Sequence, residues 1–398
     1  MVEDVGGQQV GMLGGIRFVR MIFYRKKAGM VGVPFFLCNF ATANLTIHTM
    51  NIIGLMSGTS LDGVDLALCN MDEKRHTILA AETVPYPAEW RQRLSTLEHS
   101  TALEYTKANV ELGHYFGKII NKFTKQRNIP IDAIASHGHT IFHQPGIGLT
   151  TQIGDGNAIA AETGLPVVSD FRTLDVALGG QGAPLVPIGD ELLFSQYDAC
   201  LNLGGIANIS YRKGGKRVAF DICPCNMALN RLAARLGLDY DPDGKNARKG
   251  TLNQELNKRL NQLEYYNITQ PKSLGKEWFV EAFWPLLDAS PLPVEDLLAT
   301  TTHHIAGQIA GVAHNQGVKT MLVTGGGAFN RYLIECIHMY EPSVEVIIPD
   351  NLIINYKEAL IFALLGYLRL TGQTNTLASV TGARCDSIGG TLSGLLSR

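Results

Sequence analysis

NIIGLMSGTSLDGVDLALC, residues 51–69, sets two apolar runs on either side of a tip holding two glycines, three hydroxyl residues and one carboxylate. Both runs read as strands, the first a short apolar run and the second with alternating apolar residues. A tight hairpin needs only two turn residues, such as Asp-Gly. This tip is longer and rich in donors. Gly58 and Gly63 let backbone N–H groups approach an anion closely, and successive turn amides form an anion-binding nest. Thr59 and Ser60 add hydroxyl donors, and Asp62 is a candidate magnesium ligand, directly or through water. The spacing is not G-x-x-x-x-G-K-[ST], so no P-loop is indicated. An ordinary long hairpin is the competing explanation.

Outward from this tip, the chain reads as two halves with one plan. Strands are expected at 51–56, 64–70 and about 76–84, then helices near 89–97 and 101–127. A strand over 131–138, a helix over 155–163 and a strand over 166–171 follow. The order then returns. Strands are expected at 198–205, 206–213 and 216–221, with helices at 224–237 and 294–316. A strand at 318–327, a helix to about 340, a strand at 344–349 and a helix at 355–370 complete it. Three strands open each half, and the helix–strand alternation that follows favours parallel pairing there. Each half also places a glycine-rich tip after its first strand, MSGTSLDG in one and NLGGIANIS in the other. Two such domains facing each other leave a cleft, the usual place for a ligand.

Further stretches carry chemistry. Gly204 and Gly205 in the second tip repeat the donor-rich device, so the two tips together suit a polyphosphate. Gly325, Gly326 and Gly327 lie between a strand and a helix, where close approach and a helix N-terminus favour an anion. SDFRTLDVALGGQGAPLVP (169–187) gathers Asp170, Arg172, Asp175 and Gln181 in a polar loop, where Arg172 is placed to fix a carboxylate. Asp221 ends a strand just before Pro224; it is either a general base facing the cleft or the N-cap of the next helix. SHGHTIFH (136–143) carries three histidines without a zinc-type pattern, which reads as loop histidines lining a polar cleft. Glu358 opens a largely apolar helix, where it either reaches the cleft or serves the helix dipole.

Composition sets the limits. With 398 residues, 45% hydrophobic and 18% charged, the chain can bury large cores and is not a disordered type. A net charge of −2 gives no basic field for nucleic acid, so the expected partner is a small molecule. Seven cysteines without a C-x-x-C pair indicate neither a zinc site nor a disulfide framework and fit a reducing, cytoplasmic setting. No apolar run approaches the roughly 20 residues of a membrane span. Residues 1–49 are expected to lie outside the fold, with Met50 as a candidate natural start.

On GLMSGTSLDGVD (54–65), ASHGHT (135–140), SDFRTLDVALGGQGAPLVP (169–187), LNLGGIANIS (201–210), FDICPCN (220–226), PKSLGKE (271–277) and TGGGAFN (324–330), the chain resembles the anhydro-N-acetylmuramic acid kinase family. The resemblance runs from about Met50 to the C-terminus. It implies two ribonuclease H-like α/β domains of the actin, sugar kinase and Hsp70 superfamily flanking a central cleft. The expected divisions are 50–190 and 191–398. It implies ATP with Mg²⁺, a sugar substrate and a homodimer. The implied reaction opens the 1,6-anhydro ring of the sugar with water and phosphorylates oxygen 6, a step of cell-wall recycling. Gly58, Thr59, Ser60, Leu61, Asp62, Gly63, Val64 and Asp65 match the family's first phosphate hairpin. Gly204 and Gly205 match the second, and Gly325 to Gly327 match the adenosine side. Asp221 matches the catalytic aspartate, and Arg172, Glu358, Asp170 and Gln181 fall on the sugar side. Cys223 and Cys225 stand where the family often has glycine, and His139 where it often has glutamine. Those departures put the loop beside Asp221 and one sugar contact in question. An ordinary hexosamine kinase, a phosphatase of the exopolyphosphatase type, an actin-like filament and a sugar-sensing regulator are the competing readings, since the fold alone does not choose among them.

Overall fold

A computed structural model describes residues 49–394 apart from 59–60, 73–74, 126 and 269–271. Residues 1–48 of the expected extension, and Thr59 and Ser60 of the first tip, lie outside the described residues.

The opening stretch forms β1 (Met50–Ser57) and β2 (Gly63–Met71), antiparallel with Ile53 opposite Leu68. β3 (His76–Pro85) pairs antiparallel with β2. The long helix α1 (Ala102–Lys125) then crosses one face, and β4 (Ala133–Gln144) returns parallel to β1. β5 (Leu149–Ile153) folds back on the far end of β4, and α2 (Gly156–Thr163) leads to β6 (Val167–Ser169), parallel to β4. α3 (Val186–Leu193) carries the chain into the second half. β4 runs further than the expected 131–138, because SHGHTIFH is drawn into a hairpin with β5, a pairing no local pattern in the sequence announces.

Alternation explains why β1 and β2 bury side chains on both faces. Successive side chains point to opposite faces of a strand. Ile53, Leu55, Leu66 and Leu68 pack with Leu112, Phe116 and Ile120 of α1. Ile52, Ala67 and Cys69 face the other way, into a separate core. A sheet covered on both faces demands continuous apolar runs rather than alternating ones.

The second sheet repeats the plan. β7 (Ala199–Leu203), β8 (Ile206–Lys213) and β9 (Lys216–Pro224) form an antiparallel meander. α4 (Asn226–Ala233) and α5 (Val294–Gln316) follow, and β10 (Thr320–Thr324) lies parallel to β7. α6 (Arg331–Tyr340) leads to β11 (Glu345–Ile347), parallel to β10. The strand orders β6-β4-β1-β2-β3 and β11-β10-β7-β8-β9 are therefore the same arrangement used twice. The expected 224–237 helix is shorter, since a 3₁₀ turn over Ala234–Leu236 and Gly237 at φ 73° stop it.

The C-terminal part does not stay with the second sheet. α7 (Asn351–Leu370) supplies Leu360, Phe362 and Leu364 to the core containing Ile52 and Cys69. β12 (Thr391–Ser393) then pairs antiparallel with β6 at the edge of the first sheet. A division of the chain at residue 190 falls inside α3 and omits this return. α7 lies so close to β1 that a Cβ on Gly54 would stand 1.8 Å from the Ala359 carbonyl oxygen. Gly54→Ala is expected to force the helix off the sheet and lower stability by about 1–3 kcal/mol or more, read as a lower denaturation midpoint.

Three elements meet in a buried polar contact. Lys357 Nζ of α7 stands 2.7 Å from Asp190 Oδ1 of α3, with the two side chains 7% and 4% exposed. The Ser210 hydroxyl of β8 donates to the other oxygen of Asp190. This ion pair ties both connections between the sheets to the second sheet's meander.

Candidate active site

The first tip leaves β1 at Ser57 and re-enters at Gly63, so Gly63, Val64 and Asp65 belong to β2 itself. Val64 is a fully buried core side chain and offers a ligand nothing but its backbone. Leu61 adopts φ 61°, and the Asp62 carbonyl accepts the Tyr86 N–H at 3.4 Å, which anchors the tip to the end of β3. Asp65 sits in β2 with Oδ1 accepting the Thr83 hydroxyl at 2.6 Å. Burial pushes its carboxyl up, the Thr83 bond opposes this, and the Asp62 charge adds to the rise.

The second and third glycine tips are brought together. Gly325 has φ 81°, and a Cβ there would meet Asn202 Oδ1 at 2.5 Å and Leu203 backbone at 2.9 Å, so only glycine permits this approach. Asn226 Nδ2 donates to the Leu203 carbonyl at 2.9 Å, which locks the end of β7 to the start of α4. Gly205 and Gly326 differ from Gly325. An added Cβ would make only ordinary van der Waals contact, with Met227 at 3.8 Å and with Asn226 at 3.7 Å, so the close approach that demands glycine is at Gly325. The carbonyls of Gly204 and Gly205 accept the Asn226 and Met227 N–H groups at 3.1 Å, so α4 is capped by this tip.

Asp221 therefore does not cap α4; that alternative is corrected. It lies inside β9, where Oδ2 accepts the Leu274 N–H at 2.8 Å. Its own N–H donates to the Lys272 carbonyl at 3.2 Å, and its carbonyl accepts the Tyr265 hydroxyl at 2.5 Å. Burial raises its carboxyl above the ordinary aspartate range, and the Leu274 N–H offsets part of that rise. Cys223 and Cys225 are fully buried in the core, and burial pushes the Cys225 thiol up to about 12, so neither acts as a nucleophile.

On the first sheet, Arg172 is engaged differently from a free carboxylate clamp. Nε and Nη2 donate to His137 Nε2 at 3.1 Å and 2.9 Å, and Nη1 donates to the Gly182 carbonyl at 2.7 Å. Most of the fork is thus used inside the protein. Burial lowers the guanidinium to about 10, while the Glu358 charge opposes the change. Because His137 Nε2 accepts, its proton stands on Nδ1, which faces the Gly138 carbonyl at 3.0 Å. Glu358 keeps solvent access at its position on α7. Protein crowding around it raises its carboxyl, Arg172 counteracts this, and Asp65 adds to it. Asp65, Arg172 and Glu358 thus belong to one charged cluster, whereas Asp221 is acted on by Leu274, Tyr265 and Cys223.

A polar cavity of about 340 Å³ adjoins His137, and Asp170 and Thr173 line it along with the 150–157 segment. Buried Thr151 Oγ1 and Gln152 Oε1 have no hydrogen-bond partner there, so polar ligand atoms are wanted. Asp170, at φ 55°, accepts from the Thr173 hydroxyl at 2.5 Å. Gln181 is exposed, held through its N–H to the Thr381 carbonyl at 2.8 Å, and does not line this cavity. Asp175 is 1% exposed and bonds Gly182 N–H and the Thr381 hydroxyl, both at 2.7 Å, so it shapes the loop. His139 also moves out of the site. It is buried against Ser57 Oγ at 2.8 Å, with its ring lowered to about 4 by burial. It is a core residue. Tyr265, Lys272, Leu274 and the 150–157 segment were missed as site residues; the only sequence signal was the polar run TTQIGDGN between two apolar stretches.

A family model described as anhydro-N-acetylmuramic acid kinase matches residues 50–393. An anhydro-N-acetylmuramic acid kinase of Vibrio cholerae is 37% identical over 359 residues, covering 85% of this chain and 96% of that protein. One from Saccharophagus degradans is 36% identical over 364 residues, covering 84% and 96%. Among solved structures, a ROK family glucokinase from Streptomyces griseus has 14% identity and a TM-score of 0.38, covering 79% of this chain and 97% of that one. The match spans both sheets, all three glycine tips and Asp221, and the chain belongs to the anhydro-N-acetylmuramic acid kinase family.

Proposed function

We infer that this chain uses ATP to convert 1,6-anhydro-N-acetylmuramic acid and water into N-acetylmuramic acid 6-phosphate and ADP, in peptidoglycan recycling. The observation that carries the reading is the family match over residues 50–393, which includes a desolvated Asp221 with one carboxylate oxygen already held.

The proposed roles follow from chemistry. Water adds to carbon 1 of the sugar, the bond from carbon 1 to oxygen 6 breaks, and oxygen 6 takes the γ-phosphoryl group. The proton lost by water passes to Asp221, whose raised carboxyl is a stronger base than an exposed aspartate. Phosphoryl transfer needs positioning and charge stabilisation more than covalent help. The backbone amides of the glycine tips at 204–205 and 325–327, with the first tip, suit ATP phosphates. Asp62 and Asp65 provide two interacting carboxylates at that tip, and hard oxygen donors of this number fit magnesium, which keeps phosphates and waters as its other ligands. When bound, the ion neutralises phosphate charge. Arg172, Glu358 and Asp170, with His137, are assigned to the sugar. Cytoplasmic residence and a homodimer belong to the same reading. Among the described residues no helix is long and apolar enough to cross a membrane.

Arg172→Met is expected to raise KM for the sugar at least tenfold, about 1.4 kcal/mol, with KM for ATP within twofold, since it also strands His137. Equal changes in both KM values would remove Arg172 from the sugar side. The reading as a whole is tested with purified protein, ATP, Mg²⁺ and the anhydro sugar, followed by mass spectrometry. A product heavier by one phosphate and one water supports it. A gain of phosphate without water means an ordinary sugar kinase, and polymer formation on adding ATP and Mg²⁺ without product means a filament.

A further inference from the structure

β9 is the edge strand of the second sheet, so alternate N–H and C=O groups along it point away from β8. At Asp221 both groups are taken by one segment, the Lys272 carbonyl receiving the N–H and the Tyr265 hydroxyl donating to the C=O. The same segment reaches the side chain through Leu274 N–H to Oδ2. A bulge at this point, where Ala207 faces Cys223 and Asn208 faces Asp221, re-aims the residue. Oδ1 is left without a hydrogen-bond partner among the described residues.

Tyr265 is built to hold this arrangement. It is 2% exposed and packs on Trp278 with ring centroids 5.2 Å apart. The Lys272 ammonium lies 4.4 Å from its ring centre and donates to its carbonyl at 3.1 Å. A carbonyl only accepts, so the Tyr265 hydroxyl is the donor to Asp221. Burial drives the phenol far above its ordinary range, so it stays a donor at every working pH.

We propose that Tyr265 is a positioning residue which, with the Lys272–Leu274 backbone, clamps Asp221 so that Oδ1 is the atom that takes the proton from water. The clamp serves ring opening rather than ATP binding. It rests on Asp221 being the base. The groups facing Asp221 are the Tyr265 hydroxyl, the Leu274 N–H and the Cys223 thiol, with Lys272 behind Tyr265. Loosening the clamp weakens the Leu274 bond, one of the interactions that hold the carboxyl down. The acid limb of the pH profile then moves upward.

The test is Tyr265→Phe beside wild type and Lys272→Met, with kcat, both KM values, the pH profile of kcat and the product mass. Tyr265→Phe is expected to lower kcat about ten- to a hundredfold, because small misplacements of a reacting group cost that much. Both KM values stay within twofold, and the acid limb rises by about half a unit or more. Lys272→Met keeps the hydroxyl but removes the cation that supports the Tyr265 ring and carbonyl, so its limb moves the same way by a smaller amount. A Phe variant with kcat within twofold of wild type, or a slower one with an unmoved limb, overturns the proposal and leaves Tyr265 a packing residue. If circular dichroism shows the Phe variant unfolded, Leu274→Pro deletes the donated N–H directly and must move the limb the same way; an unmoved limb there overturns it too. A wild type that makes no product heavier by phosphate and water sinks the proposed function instead, so the two failures are distinct.

Discussion

Asp221→Asn should leave a folded, ATP-binding protein that no longer opens the anhydro ring, with kcat down by about 10²–10⁴. The amide is nearly isosteric, and its oxygen still accepts the Leu274 N–H that Oδ2 accepts at 2.8 Å. It cannot accept a proton from water. On the role proposed for Asp221, its loss removes phosphoryl transfer as well, because oxygen 6 gains its nucleophilic charge only as the ring opens. Mass spectrometry should show neither the hydrated phosphate product nor a phosphate-only one. KM for ATP should change less than twofold, since the glycine tips at 204–205 and 325–327 are untouched. A variant keeping a tenth or more of wild-type kcat would mean that another group activates water.

Lys357→Met should lower unfolding free energy by about 3–5 kcal/mol, because it leaves the Asp190 carboxylate buried and without its cation. The pair is 2.7 Å apart with both side chains under a tenth exposed. Adding Asp190→Asn to Lys357→Met should recover much of the loss, since a neutral pair of similar volume carries no stranded charge. Urea denaturation of the two singles and the double measures this. Additive losses would show that the two side chains do not depend on each other. The neighbouring Glu358 faces solvent, so a Glu358→Gln variant should leave the midpoint nearly unchanged.

Much of the architecture is local information. Continuous apolar runs at 51–56 and 64–70 require a sheet covered on both faces, and the structure covers Ile53 and Leu55 with α1 and Ile52 and Cys69 with α7. The donor-rich tip that follows could be read without any partner, because glycine and hydroxyl placement is a property of a few adjacent residues. The repeat of three strands and a glycine tip was legible for the same reason.

What sequence by itself determined, then, is the periodicity, the punctuation and the chemistry of each tip. Tertiary structure decided which side chains meet across long separations. His137 and His139 look alike in SHGHT, yet one accepts from Arg172, 35 residues on, and the other is buried on Ser57, 82 residues back. Asp221 could have capped a helix or faced the cleft. The helix-cap alternative was removed by Leu274, 53 residues away, whose N–H holds one carboxylate oxygen. The return of β12 to β6 was equally silent, because a three-residue strand has too few positions to show a period. Pairings of this kind are selected by the energy of the whole packed arrangement, and no window of adjacent residues contains it.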